Sequence, residues 1–227
     1  MEDVLGSAGP YLGLVALWAA YFAVHSLLAA RRPKAWAARQ GPAAVRVYRL
    51  AYNGLAVLLL VPPLWLTFTL DGPMVLQWSG PAWWLAQGAA LLALAGFVAS
   101  LRAYDMEHFL GLRQWRAPEI TNGGVEPWEP MRLSGFHRHV RHPWYFFGLV
   151  ILWTRNLDLA LFLTALTITV YLVIGSRLEE RKLMETYGDA YRAYRQRVPG
   201  LFPLPGRRLT RAQAEELVRR ANGEEDA

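Results

Sequence analysis

LAYNGLAVLLLVPPLWLTFTL, residues 50–70, contains no charged side chain. A water-soluble core has no need of an uncharged run of that length, whereas a helix crossing the roughly 30 Å of bilayer hydrocarbon needs about 20 apolar residues. The stretch therefore reads as a membrane span. Its neighbours follow the same plan: 54% of the 227 residues are hydrophobic and gathered into long blocks, with no sustained alternation of the kind that marks half-buried strands. The expected fold class is all-α, a polytopic integral membrane protein with about five transmembrane helices.

Charge fixes the expected orientation. A first span from about Tyr11 to Ala30 is followed by Arg31, Arg32, Lys34, Arg39, Arg46 and Arg49 without one acidic residue, which places that loop in the cytoplasm and the N-terminus outside. The second span contains Pro62-Pro63, expected to kink it. The connection from Asp71 to Pro81 has no basic residue and suits the outer face, where Trp78, Trp83 and Trp84 form an interfacial belt. A third span, about Trp83 to Ser100, returns to a basic cytoplasmic segment from Arg102 to Arg141. Two apolar limbs follow, about Pro143 to Thr154 and Leu159 to Gly175, separated by Arg155-Asn156-Leu157-Asp158; each is short of a full crossing. From Arg177 the chain is a charged, tyrosine-rich cytoplasmic helix ending near Val198-Pro199-Gly200, and a charged tail, residues 204–227, is expected to be mobile or loosely helical.

The formal charge of +6 is accordingly a topology signal before it is a ligand signal, and nucleic acid is not an expected partner. The absence of cysteine excludes disulfides, thiolate catalysis and cysteine-ligated metals. Glu2 and Asp3 stand where a secretory leader would carry basic residues, so the first span is expected to be retained. The chain is expected to sit in a bacterial inner membrane with its C-terminus in the cytoplasm.

Chemistry is expected where Arg141-His142-Pro143-Trp144-Tyr145 enters the apolar sequence. Proline fits the first helical turn, so Pro143 marks a helix start with Arg141 and His142 at its mouth. His137, His139 and His142 lie close in sequence, but no carboxylate or fourth ligand stands at a fixed spacing from them, so no metal is expected. Arg141 offers a planar fork and His142 a titratable donor, which suits an anion or a cofactor. Glu179 and Glu180 point about 100° apart on a helix, so only one is expected to face a site. His25 is an ionisable residue within a span, a candidate substrate contact together with His137 and Trp144. Tyr187, Tyr191 and Tyr194 recur at helical spacing, as a packing stripe does.

Taken together, RHPWY, an apolar hairpin and LEERKLMETYGDAYRAYRQRVPGLFP resemble the C-terminal signature of the isoprenylcysteine carboxyl methyltransferase superfamily over Phe136 to Pro203. HFLGLRQW (His108–Trp115) and FAVHSLLAARRPKAW (Phe22–Trp36) resemble segments of bacterial methanethiol S-methyltransferases and the related NnrU-like membrane proteins. The resemblance implies one membrane-embedded methyltransferase-like domain over residues 1–203, using S-adenosyl-L-methionine and acting on a small or lipid-soluble acceptor, most simply a thiol. It further implies that Arg141, His142, Tyr145, Glu179 and Glu180 contribute to cofactor binding, and that Tyr191, Tyr194 and Arg195 close the pocket, completed by the C-terminal helix. Membrane lipid is the other implied partner. Three positions depart from the family pattern: Phe147 replaces a frequent glycine, His137 a frequent tyrosine, and Trp153-Thr154-Arg155-Asn156 the usual segment after the first limb. Two competing readings share parts of this pattern, an NADPH-dependent reductase resembling the sterol reductases and a non-enzymatic NnrU-like accessory or transport protein.

Overall fold

The computed structural model describes residues 2–102, 104–116 and 130–223; of residues 2–7 it describes the backbone. Nine helices are present among them: α1 (Glu2–Ala29), α2 (Arg31–Arg39), α3 (Pro42–Thr69), α4 (Gly80–Leu101), α5 (Met106–Leu110), α6 (Leu112–Arg116), α7 (Pro143–Trp153), α8 (Leu159–Arg197) and α9 (Arg211–Asn222). The only strands among the described residues are β1 (Met74–Leu76) and β2 (Leu157–Asp158), paired antiparallel. The all-α membrane architecture is as expected. Four helices are long and apolar enough to cross a bilayer: Ala8–Ala29 of α1, α3, α4 and α8. α7 has eleven residues, about 16 Å of helix, and by itself stops short of the roughly 30 Å of hydrocarbon.

Two boundaries differ from the sequence reading. α8 does not break between its apolar limb and the charged helix expected from Arg177 but runs through both, past the acidic pair, as far as Gly188, whose non-helical backbone (φ 55°, ψ −130°) divides it from a second helical stretch ending at Arg197. A change from apolar to charged composition changes what surrounds a helix, not whether its hydrogen bonds can form. The tail also folds as far as the structure describes it. Thr210 caps α9 through a reciprocal capping box with Gln213, and Ala214 and Leu217 are buried; the last four tail residues, 224–227, lie outside the described residues. The helix α3 runs on through Pro62-Pro63, each proline removing one backbone donor.

The chain forms two compact units. In the first, α1, α3 and the start of α8 enclose Leu14, Trp18 and Ala160. Polar groups there find partners inside the protein, as they must where lipid offers none: the Trp18 indole donates to Thr164 Oγ1 at 3.0 Å, and the Thr67 hydroxyl donates to the Pro63 carbonyl at 2.7 Å. The HFLGLRQW segment makes the turn between α5 and α6, held to α3 by Asn53, whose amide donates to the Phe109 and Leu110 carbonyls at 3.1 and 3.0 Å.

In the second unit α4 packs on α7. Phe147 seats its ring on Gly96, where an added Cβ would lie 2.5 Å from Phe147 Cζ. The large side chain at 147 is thus accommodated by an absent one at 96. A second cluster joins Met131, Tyr191, Tyr194, Val198 and Leu209 to the buried face of α9. Trp65, Phe68, Leu85 and Leu92 are left exposed on the spanning helices, as lipid contact requires.

Candidate functional site

His142 occupies the N-cap position of α7 and Pro143 its first turn, so Arg141 and His142 stand just before the helix begins. That pair lies alongside the segment after α8: the Arg141 N–H donates to the Pro199 carbonyl at 2.9 Å and the His142 N–H to the Gly200 carbonyl at 3.1 Å. The side chains then converge on the acidic pair of α8. Arg141 donates from Nε and Nη2 to one oxygen of Glu180, at 2.9 and 2.6 Å, and His142 Nε2 lies 3.1 Å from the same oxygen. Arg195, in the last turn of α8, donates to the other Glu180 oxygen at 2.9 Å. The remaining nitrogen of Arg141 donates to the Arg195 and Val198 carbonyls, satisfying acceptors that the end of α8 leaves open.

Glu180 is therefore a buried, saturated carboxylate, 4% exposed and met by three cationic or imidazole groups. Glu179 differs. Its side chain is 48% exposed, with His142 Nδ1 at 3.4 Å, and it accepts from the Tyr145 hydroxyl at 3.3 Å. Both acids face the site, against the expectation that only one would, because His142 reaches between them with its two ring nitrogens. Burial alone would lower the His142 pKa, but its hydrogen bonds to Glu179 and Glu180 outweigh that and hold it above the ordinary histidine value. The His142 and Tyr145 rings stack at 5.2 Å and 9°.

The remaining expected residues fall in three places. Tyr191 and Tyr194 are buried in the cluster under α9, in edge-to-face contact, and Tyr194 donates to the His137 carbonyl at 2.7 Å. His137 and Trp144 stand in a small aromatic group with Tyr104 and Phe97, the Tyr104 and Trp144 rings 4.3 Å apart. His25 belongs to the first unit, where the Tyr52 hydroxyl lies 3.0 Å from its Nε2. Tyr104 itself was not legible as a site residue, since it sits outside every motif.

An open cavity of about 860 Å³ adjoins Arg141 and Arg195; Met184, Gly200, Phe202 and Arg207 are among the residues that line it. That volume falls within the range of small-molecule sites. Its walls combine guanidinium groups with apolar surface from Met184 and Phe202, a lining that fits a ligand with an anionic end and a flat apolar body. On the other side of His142, Glu179 and Tyr145 present a carboxylate and a ring face, which suit a cation.

No family model matches the chain, and no solved structure matches it. Among curated proteins it is 33% identical over 184 residues to methanethiol S-methyltransferase 2 of Bradyrhizobium diazoefficiens, covering 79% of this chain and 68% of that protein. It is 32% identical over 200 residues to the methanethiol S-methyltransferase of Mycobacterium tuberculosis, covering 82% and 75%. To the enzyme of that name from Pseudomonas deceptionensis it is 30% identical over 195 residues, covering 80% and 69%.

Proposed function

Because the chain belongs to the methanethiol S-methyltransferase family, we propose that it transfers a methyl group from S-adenosylmethionine to a small thiol such as methanethiol. The observation that carries this reading is the junction of RHPWY with the Glu179-Glu180 segment, 34 or more residues apart in sequence yet joined through Glu180 and His142. The relatives lend no support to the reductase or accessory readings. We place the chain in a bacterial inner membrane, with this junction on the cytoplasmic side.

When bound, S-adenosylmethionine supplies an electrophilic methyl group on a sulfonium centre. Arg141 and its neighbours on the cavity side are suited to its carboxylate, and Glu179, with acceptor capacity left over, to its ammonium. Tyr145 offers a ring face to the sulfonium charge. Glu180 is a positioning residue: it holds Arg141, His142 and Arg195 in one geometry and has little left to give a ligand. Around Trp144 the aromatic group keeps water from the acceptor. Where an anionic nucleophile meets a cationic donor, charge is annihilated on the way to the transition state, and a poorly solvated site favours that change.

The test supplies purified protein with labelled S-adenosylmethionine and, separately, methanethiol, a long-chain thiol, a prenylcysteine and phosphatidylethanolamine. Label is expected in the methylated thiol. Transfer only to the amine lipid, or no transfer to any acceptor while a parallel reaction given NADPH consumes it, would overturn the reading.

A further inference from the structure

Tyr104 follows α4 in the second unit and carries its side chain back to the mouth of α7, where its ring packs 4.3 Å from that of Trp144. Its hydroxyl lies 3.2 Å from His137 Nε2. The far side of that imidazole fixes the direction of the bond. The backbone N–H of Ser134 points at His137 Nδ1 from 3.3 Å and the Ser134 hydroxyl lies 2.7 Å from the same nitrogen. An N–H can only donate, so Nδ1 is the acceptor and the proton of the neutral ring sits on Nε2. Burial first, and the neighbouring His142 second, push the His137 pKa down to about 4, which keeps the ring neutral at physiological pH. His137 therefore donates to the Tyr104 oxygen, and the Tyr104 proton is turned away from it. Among the described residues no other hydrogen-bond partner takes that proton, although Tyr104 is 36% exposed. A chain of donors, Ser134 to His137 to Tyr104, polarises the last hydroxyl in the series.

Resting on the thiol-methyltransferase reading above, we propose that Tyr104 is the hydrogen-bond donor that receives the acceptor as its thiolate, with His137 as a positioning residue that holds the phenol proton outward. A hydrogen bond to the charged form of an acid lowers its pKa, and a free thiol with a pKa near 8.5 or above is mostly protonated at neutral pH. The charged groups that face this spot are Glu179, which opposes an incoming anion, and His142, which favours it when protonated. Burial, with Glu179 adding to it, raises the Tyr104 pKa to about 12, so the phenol remains a donor throughout the working range. In the reaction the thiol proton leaves to water on binding. The thiolate sulfur then forms the new bond to the methyl carbon, and the electron pair of the breaking carbon–sulfonium bond stays on the donor sulfur, which becomes a neutral thioether.

Two measurements on the full-length protein test this. The first is calorimetric titration of methanethiol into the S-adenosylhomocysteine-loaded protein at pH 7, in two buffers of different ionisation enthalpy, which counts protons released per thiol bound. Wild type should release close to one, and Tyr104→Phe clearly fewer. The second is the pH dependence of kcat, which reports ionisations in the bound complex. Its rising limb should move up by about one unit in Tyr104→Phe, a loss that approaches tenfold on the acid side of the wild-type limb and that alkaline conditions restore. His137→Leu should shift it in the same direction, and His137→Gln, which can still donate to the phenol, should shift it less. Stabilisation by S-adenosylhomocysteine in each variant verifies the fold and the cofactor site. Wild-type thiol methylation with unchanged proton release and an unchanged kcat profile in Tyr104→Phe overturns the role of Tyr104 alone. Binding of S-adenosylhomocysteine with no thiol binding or methylation in wild type overturns the acceptor reading, and this inference with it.

Discussion

Glu179 and Glu180 are adjacent in sequence, and the structure gives them different work. Glu180, buried under Arg141, His142 and Arg195, holds the site together, while Glu179 keeps half its surface open beside Tyr145. Substituting each by glutamine should separate these roles. Glu180→Gln removes the charge opposite three buried or half-buried groups, and breaking one side of a buried ion pair typically costs about 3–5 kcal/mol. A large drop in thermal midpoint should therefore accompany any loss of ligand affinity. Glu179→Gln should leave the midpoint nearly unchanged and weaken S-adenosylhomocysteine binding by roughly tenfold or more, the scale of one hydrogen bond to a charged group. Equal midpoints for the two variants would show that Glu180 does not organise the site. The sequence singled out Arg141, His142, Glu179 and Glu180, which the structure brings together, but not this division, because sequence cannot tell whether an arginine and a glutamate are paired with each other or with a ligand.

At the scale of elements, helix starts were more legible than helix ends. Pro143 fixed the beginning of α7, and the apolar blocks located α1, α3 and α4, since both signals act locally. That the helix expected from Arg177 runs on unbroken from the apolar limb, and that the tail packs as the capped helix α9, escaped, because charge was read as a boundary and the Thr210–Gln213 capping box lay in a tail discounted for its composition. The fate of Phe147 depends on a residue from another element. Its ring fills the space opposite Gly96, a relation of α7 to α4 that no local pattern announces. Phe147 is 7% exposed and has little room to withdraw. Gly96→Val should accordingly destabilise the protein by about 1–3 kcal/mol, the usual cost of overpacking. Adding Phe147→Gly should recover part of that loss, a non-additive pair in a double-mutant cycle. Strict additivity of the two unfolding shifts in detergent would mean that the α4–α7 seam is not set by this contact.

For the whole molecule, the distribution of charge is the argument for orientation. α2 and the first turns of α3 carry Arg31, Arg32, Lys34, Arg39, Arg46 and Arg49 with no acid among them, whereas the segment from Asp71 to Pro81 has no basic residue. Short loops rich in arginine and lysine stay on the cytoplasmic side during insertion. α1 and α3 are joined through α2, and α3 and α4 through the segment containing β1, so one assignment fixes the sides of three spanning helices in succession. On the proposed orientation, Arg113 and Arg116, after α4, share the side of Arg39. Since the chain has no native cysteine, single cysteines can report this without background. Cysteines placed at Arg39 and Arg116 should be shielded from an impermeant thiol reagent in intact cells and should react once the membrane is opened, while one at Gly80 should react from outside. A polar cofactor made in the cytoplasm must reach Arg141 and Glu179 from that side, so the orientation decides whether the proposed chemistry has its donor. Labelling at Arg39 in intact cells would reverse the topology and remove the cytoplasmic route to the site.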